Sequence, residues 1–221
     1  MHDQTPVINW IDNGVPFSQM FNYPYYSTEN GIDETLHVFL KGNGLPERFY
    51  DGFQIAELGF GTGLNMLVSI NEFIRSSNKG KLKYISFEAF PLSTNQIAKA
   101  LSKFPTINPE IILDHWKQET LEIKTEQYEI QIIVGDARKT LKHWAGAADA
   151  WFLDGFAPSR NPELWELDLM RDVVTHTKTL GTFSTYSSAG IIRRNLADVG
   201  FNVTKSTGFG KKRHMSKGIK F

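Results

Sequence analysis

The feature that most constrains this chain is a run of three glycines at alternate positions, Gly59, Gly61 and Gly63. The mostly apolar residues 53–58 before it predict a buried strand, and apolar residues recur at helical spacing over 63–75. Glycine permits positive φ and has no Cβ, so a ligand can lie against the backbone at the N-terminus of the helix. The run therefore predicts a loop that binds a nucleotide cofactor.

The spacing of this loop separates two classes of cofactor. An acidic residue, Glu57, precedes a G-x-G-x-G pattern, whereas dinucleotide-binding enzymes carry G-x-G-x-x-G. This difference favours S-adenosylmethionine over NAD. Taken alone, the pattern also fits a turn that only packs a helix on a strand.

Each of three later predicted strands has an acidic residue at its carboxyl end. These residues are Glu88, Asp136 and Asp154. Glu88 comes about 25 residues after the loop, near the spacing of roughly 20 at which a strand-terminal acid binds ribose hydroxyls. Asp136 suits the edge of an adenine. A solvated strand end is the alternative for Glu88, but the glycine loop upstream favours a cofactor site at the carboxyl ends of the strands.

Alternating strands and helices predict the fold. The predicted strands span 53–58, 82–88, 121–124, 128–134, 150–154, 182–186, 201–206 and 214–219, and the predicted helices span 63–75, 93–103, 138–144, 164–178 and 189–199. This order indicates an α/β fold, with a mostly parallel, twisted sheet and helices on both faces. We expect 121–124 and 128–134 to form an antiparallel pair, and Ser93 to cap its helix.

Residues 1–50 do not follow this pattern. We expect them to form an extension packed on a core domain of residues 51–221, giving one globular domain overall. Short strands at 7–10 and 15–17 flank the turn signal Asp12-Asn13-Gly14 and predict a hairpin.

The extension also contains a predicted helix and an aromatic segment. The helix spans 34–40 and is ended by Gly42 and Gly44. The aromatic segment 21–26 is interpreted as a plug of the core, because aromatic rings carry much apolar area, with a stacking surface as the alternative.

Composition bounds the class of protein. The chain has 221 residues with 41% hydrophobic and 13% aromatic content, as in a single globular domain. No apolar run approaches the roughly 20 residues that span a bilayer, and Met1 to Gln4 lack the features of a signal peptide, so we expect a soluble, cytoplasmic protein. The chain has no cysteine, and its six histidines show no ligand spacing, so no metal is expected.

The formal net charge is zero, but the charge is unevenly distributed. The stretch from Lys205 onward contains bases and no acid, and Arg193 and Arg194 precede it on a predicted helix. The bases in this stretch are Lys205, Lys211, Lys212, Arg213, Lys217 and Lys220. The stretch is either a solvated basic tail or a patch that contacts nucleic-acid phosphates.

Asp154 lies in a turn that directly follows a buried strand, with Phe156 and Pro158 after it. Such a turn can hold a nitrogen nucleophile beside a cofactor, although an Asp before a Gly is also common as a turn cap. An ordinary aspartate titrates about 6.5 pH units below an alkylamine, so it is a poor base for that group. We therefore expect Asp154 to orient a neutral amine and to stabilise the cation that forms.

With these motifs in view, the sequence resembles the methyltransferase domain of the bacterial MnmC-type tRNA modification enzymes. The matching residues cover nearly the whole chain, and the DGFAP run at 154–158 and the GFGKKR run at 208–213 are far more specific than the glycine loop. The other matching runs are 26–31, 34–35, 38–40, 59–65, 85–88, 149–153, 161–162, 188–190 and 193–194.

The resemblance implies a Rossmann-like class I S-adenosylmethionine-dependent methyltransferase. The family methylates the 5-aminomethyl group of the wobble (2-thio)uridine in certain tRNAs, giving 5-methylaminomethyl-2-thiouridine, with S-adenosylhomocysteine as the other product. Its longer members carry an FAD-dependent domain that first removes a carboxymethyl group. We therefore expect tRNA as a partner and no FAD in this chain; the residues leave open whether a fused or a separate oxidoreductase domain accompanies it.

The residue patterns and the resemblance together give the expected site residues. Those expected at the cofactor are Glu57, Gly59, Phe60, Gly61, Gly63, Asn65, Glu88, Asp136, Ala137 and Asp154. Asp154 is in addition the expected catalytic residue. Those expected to contact the substrate are Phe156, Pro158, Arg160, Lys211, Lys212 and Arg213.

Three other functions fit parts of the sequence. A methyltransferase of a small-molecule or protein amine would share the cofactor site, and salt-sensitive tRNA binding would distinguish it. An NAD-dependent oxidoreductase is disfavoured by the missing G-x-G-x-x-G pattern. A non-catalytic tRNA-binding module would keep the fold and lack turnover.

Overall fold

The computed structural model describes residues 5–11, 14–76 and 79–221. Within the N-terminal extension, strand β1 (Ile8–Ile11) pairs antiparallel with β2 (Val15–Ser18), and β3 (Tyr23–Pro24) adds to the other side of β2. The predicted hairpin is therefore present, and Asp12 and Asn13 of its turn lie outside the described residues.

Eight further strands form the main sheet. In chain order, the remaining elements are α1 (Gly31–Glu34), β4 (Gln54–Leu58), α2 (Leu64–Arg75), β5 (Leu82–Glu88), α3 (Thr94–Leu101), α4 (Glu110–Leu113), β6 (Leu121–Lys124), β7 (Tyr128–Val134), α5 (Ala137–Thr140), β8 (Ala148–Leu153), α6 (Leu167–Thr175), β9 (Thr177–Thr185), α7 (Gly190–Asp198), β10 (Phe201–Thr207) and β11 (His214–Lys220). The strand order is β10-β11-β9-β8-β4-β5-β7-β6. The strands from β9 to β7 run parallel, and β6, β11 and β10 are antiparallel additions, so the predicted α/β fold is confirmed.

The central strands are buried on both faces. Successive side chains of a strand point to opposite faces, so β8 places Ala150 and Phe152 in one hydrophobic cluster and Trp151 and Leu153 in the other. Every residue of β8 is buried. This double burial explains why residues 150–153 of β8 are apolar without alternation, as in strands covered by helices on both sides.

The helix starts have local causes. Ser93 caps α3 with a reciprocal capping box, in which the Ser93 side chain bonds the Gln96 amide and the Gln96 side chain bonds the Ser93 amide, as the sequence predicted. Asn30 caps α1, which continues into a π-helix over Thr35–Leu40, so the helix predicted at 34–40 begins three residues earlier.

The helix predicted at 164–178 is wrong at both ends. Pro162–Trp165 form a 3-10 turn, α6 spans Leu167–Thr175, and β9 already begins at Thr177. The amide of Ala148 donates to the carbonyl of His176 at 2.8 Å, so pairing with β8 draws the chain into the sheet. The helix predicted at 138–144 is likewise α5 followed by a 3-10 turn at Leu141–His143.

Among the described residues, no helix is long and apolar enough to cross a lipid bilayer.

Candidate active site

A cavity of about 620 Å³ opens at the carboxyl ends of the parallel strands, within the size range of small-molecule sites. Four features line it: the glycine loop, the acidic strand ends, aromatic side chains of the N-terminal extension, and the loop between β10 and β11. The predicted site residues that line it are Gly59, Phe60, Gly61, Asn65, Glu88, Asp136, Ala137, Asp154, Phe156, Arg160, Lys211 and Lys212.

The glycine loop lies directly against the end of β8. Gly59 has φ of +90°, and a Cβ placed on it would lie 2.6 Å from the carbonyl oxygen of Asp154. Only glycine therefore fits at this position, where the chain that follows β4 lies against the end of β8 at the edge of the cavity. Gly63 precedes α2 but does not line the cavity, because it packs against Phe60 and Ile112.

Glu88 ties the glycine loop to the end of β5. Its Oε2 accepts a hydrogen bond from the Gly61 amide at 2.8 Å, and its Oε1 accepts one from the Phe90 amide at 2.7 Å. Burial raises the pKa of this carboxyl, and the backbone amides oppose the rise. Each carboxylate oxygen can accept a second bond, so Glu88 still has the capacity to bind ligand hydroxyls.

Asp136 and Ala137 border the cavity at the start of α5. The Asp136 carboxylate accepts hydrogen bonds from Arg138 at 3.0 Å to Nε and 2.7 Å to Nη2. These bonds lower the pKa of Asp136, which stays ionised. The carboxylate predicted for an adenine edge thus reaches the cavity already paired with a guanidinium.

Asn65 joins two acidic side chains. Its Nδ2 donates to Asp154 Oδ2 at 2.6 Å and to Glu57 Oε1 at 2.9 Å, and the Thr35 hydroxyl lies 2.7 Å from its Oδ1. Glu57 is fully buried, outside the cavity lining, and its Oε2 accepts a bond from Ser86. The structure thus brings Asn65 and Asp154 to the cavity and leaves Glu57 one layer behind them.

The environment of Asp154 differs from that of an ordinary aspartate. Burial raises the pKa of Asp154 to about 7, the Glu34 carboxylate adds to the rise, and Asn65 and Lys212 oppose it. Burial, followed by the charge of Asp154, raises the pKa of Glu57 to about 8. The gap between Asp154 and an alkylamine near 10.4 therefore shrinks to about 3.4 units. Asp154 is therefore a stronger base than an exposed aspartate, and its expected role of orienting a neutral amine stays a prediction.

Glu34 and Tyr186 complete this part of the site, and neither was among the predicted site residues. Glu34 Oε1 lies 3.0 Å from the Lys212 ammonium, and its Oε2 accepts a bond from the Ser27 amide at 2.8 Å. The Lys212 ammonium also lies 3.9 Å from the centroid of the Tyr186 ring. Two features of the sequence could have identified these residues. Glu34 belongs to the 34–35 run of the family resemblance, and Tyr186 directly follows strand β9.

Aromatic rings of the extension surround Phe156. Phe21 stacks on it with ring centroids 4.6 Å apart, and Tyr25 and Tyr23 approach its edge at 5.2 and 6.4 Å. Tyr26 is buried in the core, with its hydroxyl bonded to the carbonyl of Ala100. The interpretation of 21–26 as a core plug holds for Tyr26, which belongs to the hydrophobic core, and Tyr25 packs against that core while it also lines the cavity. It is wrong for Phe21 and Tyr23, which form an aromatic wall of the cavity together with Tyr25.

The remaining predicted residues lie outside the cavity. Pro158 and Arg213 line a shallow groove beside it, which Lys212 also reaches. Lys220 of the basic stretch points inward, and its ammonium donates to the carbonyls of Val174 and Thr177 at 2.8 and 2.6 Å. Within the described ranges, no group of three or more His, Asp or Glu side chains could hold a metal ion.

Curated proteins similar to this chain carry a shared name. The chain is 39% identical, over 96% of its length, to the tRNA 5-methylaminomethyl-2-thiouridine biosynthesis bifunctional protein MnmC of Leptospira borgpetersenii serovar Hardjo-bovis. It is 38% identical, over 97% of its length, to the protein of that name from Marinomonas sp.. The chain spans about a third, 34%, of the length of each of these relatives.

Solved structures share the fold. A crystal structure of MNMC2 from Aquifex aeolicus aligns with a TM-score of 0.74 and 26% identity, over 98% of this chain and 71% of that one. Spermidine synthase from Thermotoga maritima aligns with a TM-score of 0.58 and 11% identity, over 97% of this chain and 71% of that one, a likeness of fold alone.

A family model described as S-adenosyl-L-methionine-dependent methyltransferase matches residues 98–221, more than half of the chain. The resemblance to MnmC-type methyltransferase domains drawn from the sequence is confirmed by the high-coverage relatives. The cofactor chosen from the glycine spacing agrees with the family description. The chain belongs to the family of S-adenosyl-L-methionine-dependent methyltransferases.

Proposed function

We propose that this chain transfers a methyl group to the 5-aminomethyl nitrogen of the wobble (2-thio)uridine in tRNA, giving 5-methylaminomethyl-2-thiouridine. The observation that carries the proposal is Asp154, a carboxylate with a pKa of about 7 that lies beside the glycine loop and beneath an aromatic wall. A primary amine on a planar base needs such a combination of a proton acceptor and stacking rings. The names of the relatives point to the same chemistry.

The cavity fits S-adenosylmethionine. Glu88 has the acceptors for ribose hydroxyls, and Asp136 and Ala137 border the expected adenine side. Another wall of the cavity is formed by Gly59, Gly61 and Asn65, and a Cβ at Gly59 would collide with the backbone of Asp154. When bound, S-adenosylmethionine would supply a methyl group bonded to a positively charged sulfur. The lone pair of a neutral amine would bond to this methyl carbon, and the sulfur would leave as part of S-adenosylhomocysteine. Glu57 supports this site through Asn65.

Asp154 orients the amine and accepts its proton. Asn65 occupies its Oδ2, so Oδ1 is the oxygen available to the incoming nitrogen. Phe156, held by Phe21 and Tyr25, offers a face or an edge to the pyrimidine ring. Positioning of the nitrogen would then supply much of the acceleration.

Basic side chains around the cavity mouth are proposed to contact tRNA phosphates. Arg160, Lys211 and Arg213 are exposed, and Arg193 and Arg194 lie on the nearby helix α7. Their contacts would release counterions, so the affinity for tRNA should fall with salt concentration.

The extension and an oxidoreductase partner complete the proposal. We infer that residues 1–50 are an extension packed on the methyltransferase domain of residues 51–221, because Val15, Tyr26 and Val38 belong to the same hydrophobic cluster as Phe152. The relatives are named bifunctional and are about three times as long, which supports an FAD-dependent oxidoreductase, fused or separate, as the source of the aminomethyl group.

The test is incubation with methyl-labelled S-adenosylmethionine and tRNA that lacks the modification, followed by nucleoside analysis. Label in 5-methylaminomethyl-2-thiouridine supports the proposal. Label that appears only in a small-molecule or protein amine, or no label in the wobble nucleoside, rejects it. Binding of tRNA at low and high salt separates a tRNA substrate from other acceptors.

A further inference from the structure

Lys212 differs from the two basic residues beside it. Lys211 and Arg213 are exposed, whereas the Lys212 side chain is 35% exposed and turns toward the cavity. Its ammonium is 3.0 Å from Glu34 Oε1, and the Glu34 side chain is only 11% exposed. Lys212 is thus committed to an internal ion pair, which does not suit the phosphate contact predicted from the sequence.

The loop that carries Lys212 is fixed on both sides. The Gly208 amide donates to the Arg213 carbonyl at 3.2 Å, and the Lys212 amide donates to the Phe209 carbonyl at 3.0 Å. Gly210 has φ of +55°, and a Cβ there would lie 2.6 Å from Glu29 Oε2, so the turn packs closely on the segment before α1. The backbone therefore holds the ammonium in a defined place.

The groups around this ammonium form a cation site that is already filled. A carboxylate and an aromatic face within 4 Å are the partners that an alkylammonium prefers, and Lys212 occupies both Glu34 and Tyr186. An incoming alkylammonium would otherwise find these partners and would remain protonated. The charged and titratable groups facing this place are Glu34, Asp154, Tyr186 and Tyr23, with Glu29, Arg160 and Lys211 lining the same cavity and Glu57 behind Asn65.

We propose that Lys212 is a fixed positive charge beside the methyl acceptor, and that its repulsion keeps the acceptor amine neutral and nucleophilic. This inference rests on the proposed function. A neighbouring cation is an established way to lower the pKa of an amine in a protein site. The proton that the amine releases passes to Asp154, whose raised pKa makes it a competent acceptor near neutral pH.

The opposite role for Lys212 is that of a plug that the substrate must displace. The two roles predict opposite changes in the rate of methyl transfer when the Lys212 ammonium is removed. Removal of a plug would accelerate methyl transfer or strengthen substrate binding, whereas removal of a fixed charge would leave Glu34 and Tyr186 free to hold the substrate as an ammonium and would slow the reaction.

The experiment is the pH dependence of single-turnover methyl transfer at saturating S-adenosylmethionine and tRNA, with wild type, Lys212→Met, Lys212→Arg and Arg213→Met. We expect Lys212→Met to lose about tenfold in rate at pH 7, and the limb on which its rate rises with pH to move up by about one unit. Lys212→Arg should retain the wild-type limb. Arg213→Met, which alters an exposed neighbour outside the cavity lining, should weaken tRNA affinity and leave the limb in place.

Two results overturn the inference. A Lys212→Met rate equal to or above wild type supports the plug, and an unmoved limb with weaker tRNA binding alone supports a phosphate contact. Thermal stabilisation by S-adenosylmethionine in each variant verifies folding.

A second measurement needs no turnover. The amine of ¹⁵N-labelled 5-aminomethyluridine, titrated by NMR in complex with the protein, should have a higher pKa with Lys212→Met than with wild type. Equal values in the two complexes reject the role of Lys212. Absence of transfer by wild type would reject the proposed function separately.

Discussion

Asn65 Nδ2 lies 2.6 Å from Asp154 Oδ2 and 2.9 Å from Glu57 Oε1, so one amide holds the buried Glu57 and the partly buried Asp154. The Thr35 hydroxyl beside Asn65 Oδ1 fixes which end of the amide faces them. Because both amide hydrogens are in use, the position of Asp154 depends on a residue of the helix that follows the glycine loop. The glycine loop and Asp154, the proposed proton acceptor, are therefore connected through the side chain of Asn65.

Asn65→Leu should cost about 1–3 kcal/mol of unfolding free energy for each carboxyl left without a donor, and should lower kcat by about 100-fold. Loss of its donor also raises the pKa of Asp154 further, so the acidic side of the pH-rate profile moves up. Urea unfolding and pH-dependent turnover measure the two effects.

The matched control for this change is Asn71→Leu on the same helix. Asn71 Nδ2 bonds a single carbonyl, that of Thr106, at 3.1 Å in an exposed setting. This variant should lose less than about 1 kcal/mol and keep the pH-rate profile. Equal losses in both variants would show that Asn65 contributes only helix packing.

Glu57→Gln should make stability less dependent on pH. The folded protein raises the pKa of Glu57 to about 8 from a usual value near 4.5, so between these values the folded state binds a proton that the unfolded state lacks. The free energy of unfolding of wild type therefore falls as pH rises from 5 to 8. At 1.36 kcal/mol per pKa unit, the free energy of unfolding of Glu57→Gln should rise relative to that of wild type by about 2–4 kcal/mol between pH 5 and pH 8. Thermal unfolding across this pH range measures the difference.

Asp154 carries a similar shift and remains in the Glu57→Gln variant, so part of the wild-type slope should persist. A slope identical to that of wild type would mean that Glu57 is ionised in the folded protein.

Gly59→Ala should abolish stabilisation by S-adenosylmethionine and lower the unfolding free energy by more than about 2 kcal/mol. The new Cβ would lie 2.6 Å from a backbone oxygen of Asp154, where no flexible side chain can move aside. Gly52→Ala is the control, because Gly52 has φ of +82° with nothing within 4 Å of a Cβ. It should cost only the backbone strain of about 1–2 kcal/mol and leave cofactor binding intact.

Thermal shift with and without S-adenosylmethionine compares the two glycine variants. Full cofactor stabilisation of Gly59→Ala would contradict the role given to the loop.

Asp154→Asn should keep S-adenosylmethionine binding, lose about 100-fold or more in kcat, and lose the limb of the pH-rate profile near pH 7. Asparagine keeps the shape but accepts no proton. Full turnover with the wild-type pH profile would remove Asp154 from the proposed mechanism.

Local patterns in the sequence predicted the sheet well, because strand burial and helix caps depend on nearby residues. β5, β6 and β7 lie at their predicted positions, and Ser93 caps its helix. The helix at 164–178 failed because the pairing of Thr177 with β8 overrode a locally helical pattern. The aromatic segment was misassigned at Phe21 and Tyr23 because apolar area alone does not reveal whether a ring faces the core or a cavity.

The sequence by itself determined the fold class, the cofactor class and the place of Asp154, since alternating elements and strand-end residues are written in order along the chain. Only the tertiary structure decided the pKa shift of Asp154 and the partner of Lys212. Burial raises the pKa of the first, and Glu34, 178 positions away, pairs with the second. Electrostatic free energies depend on distance and solvent exposure, and neither is encoded in local spacing.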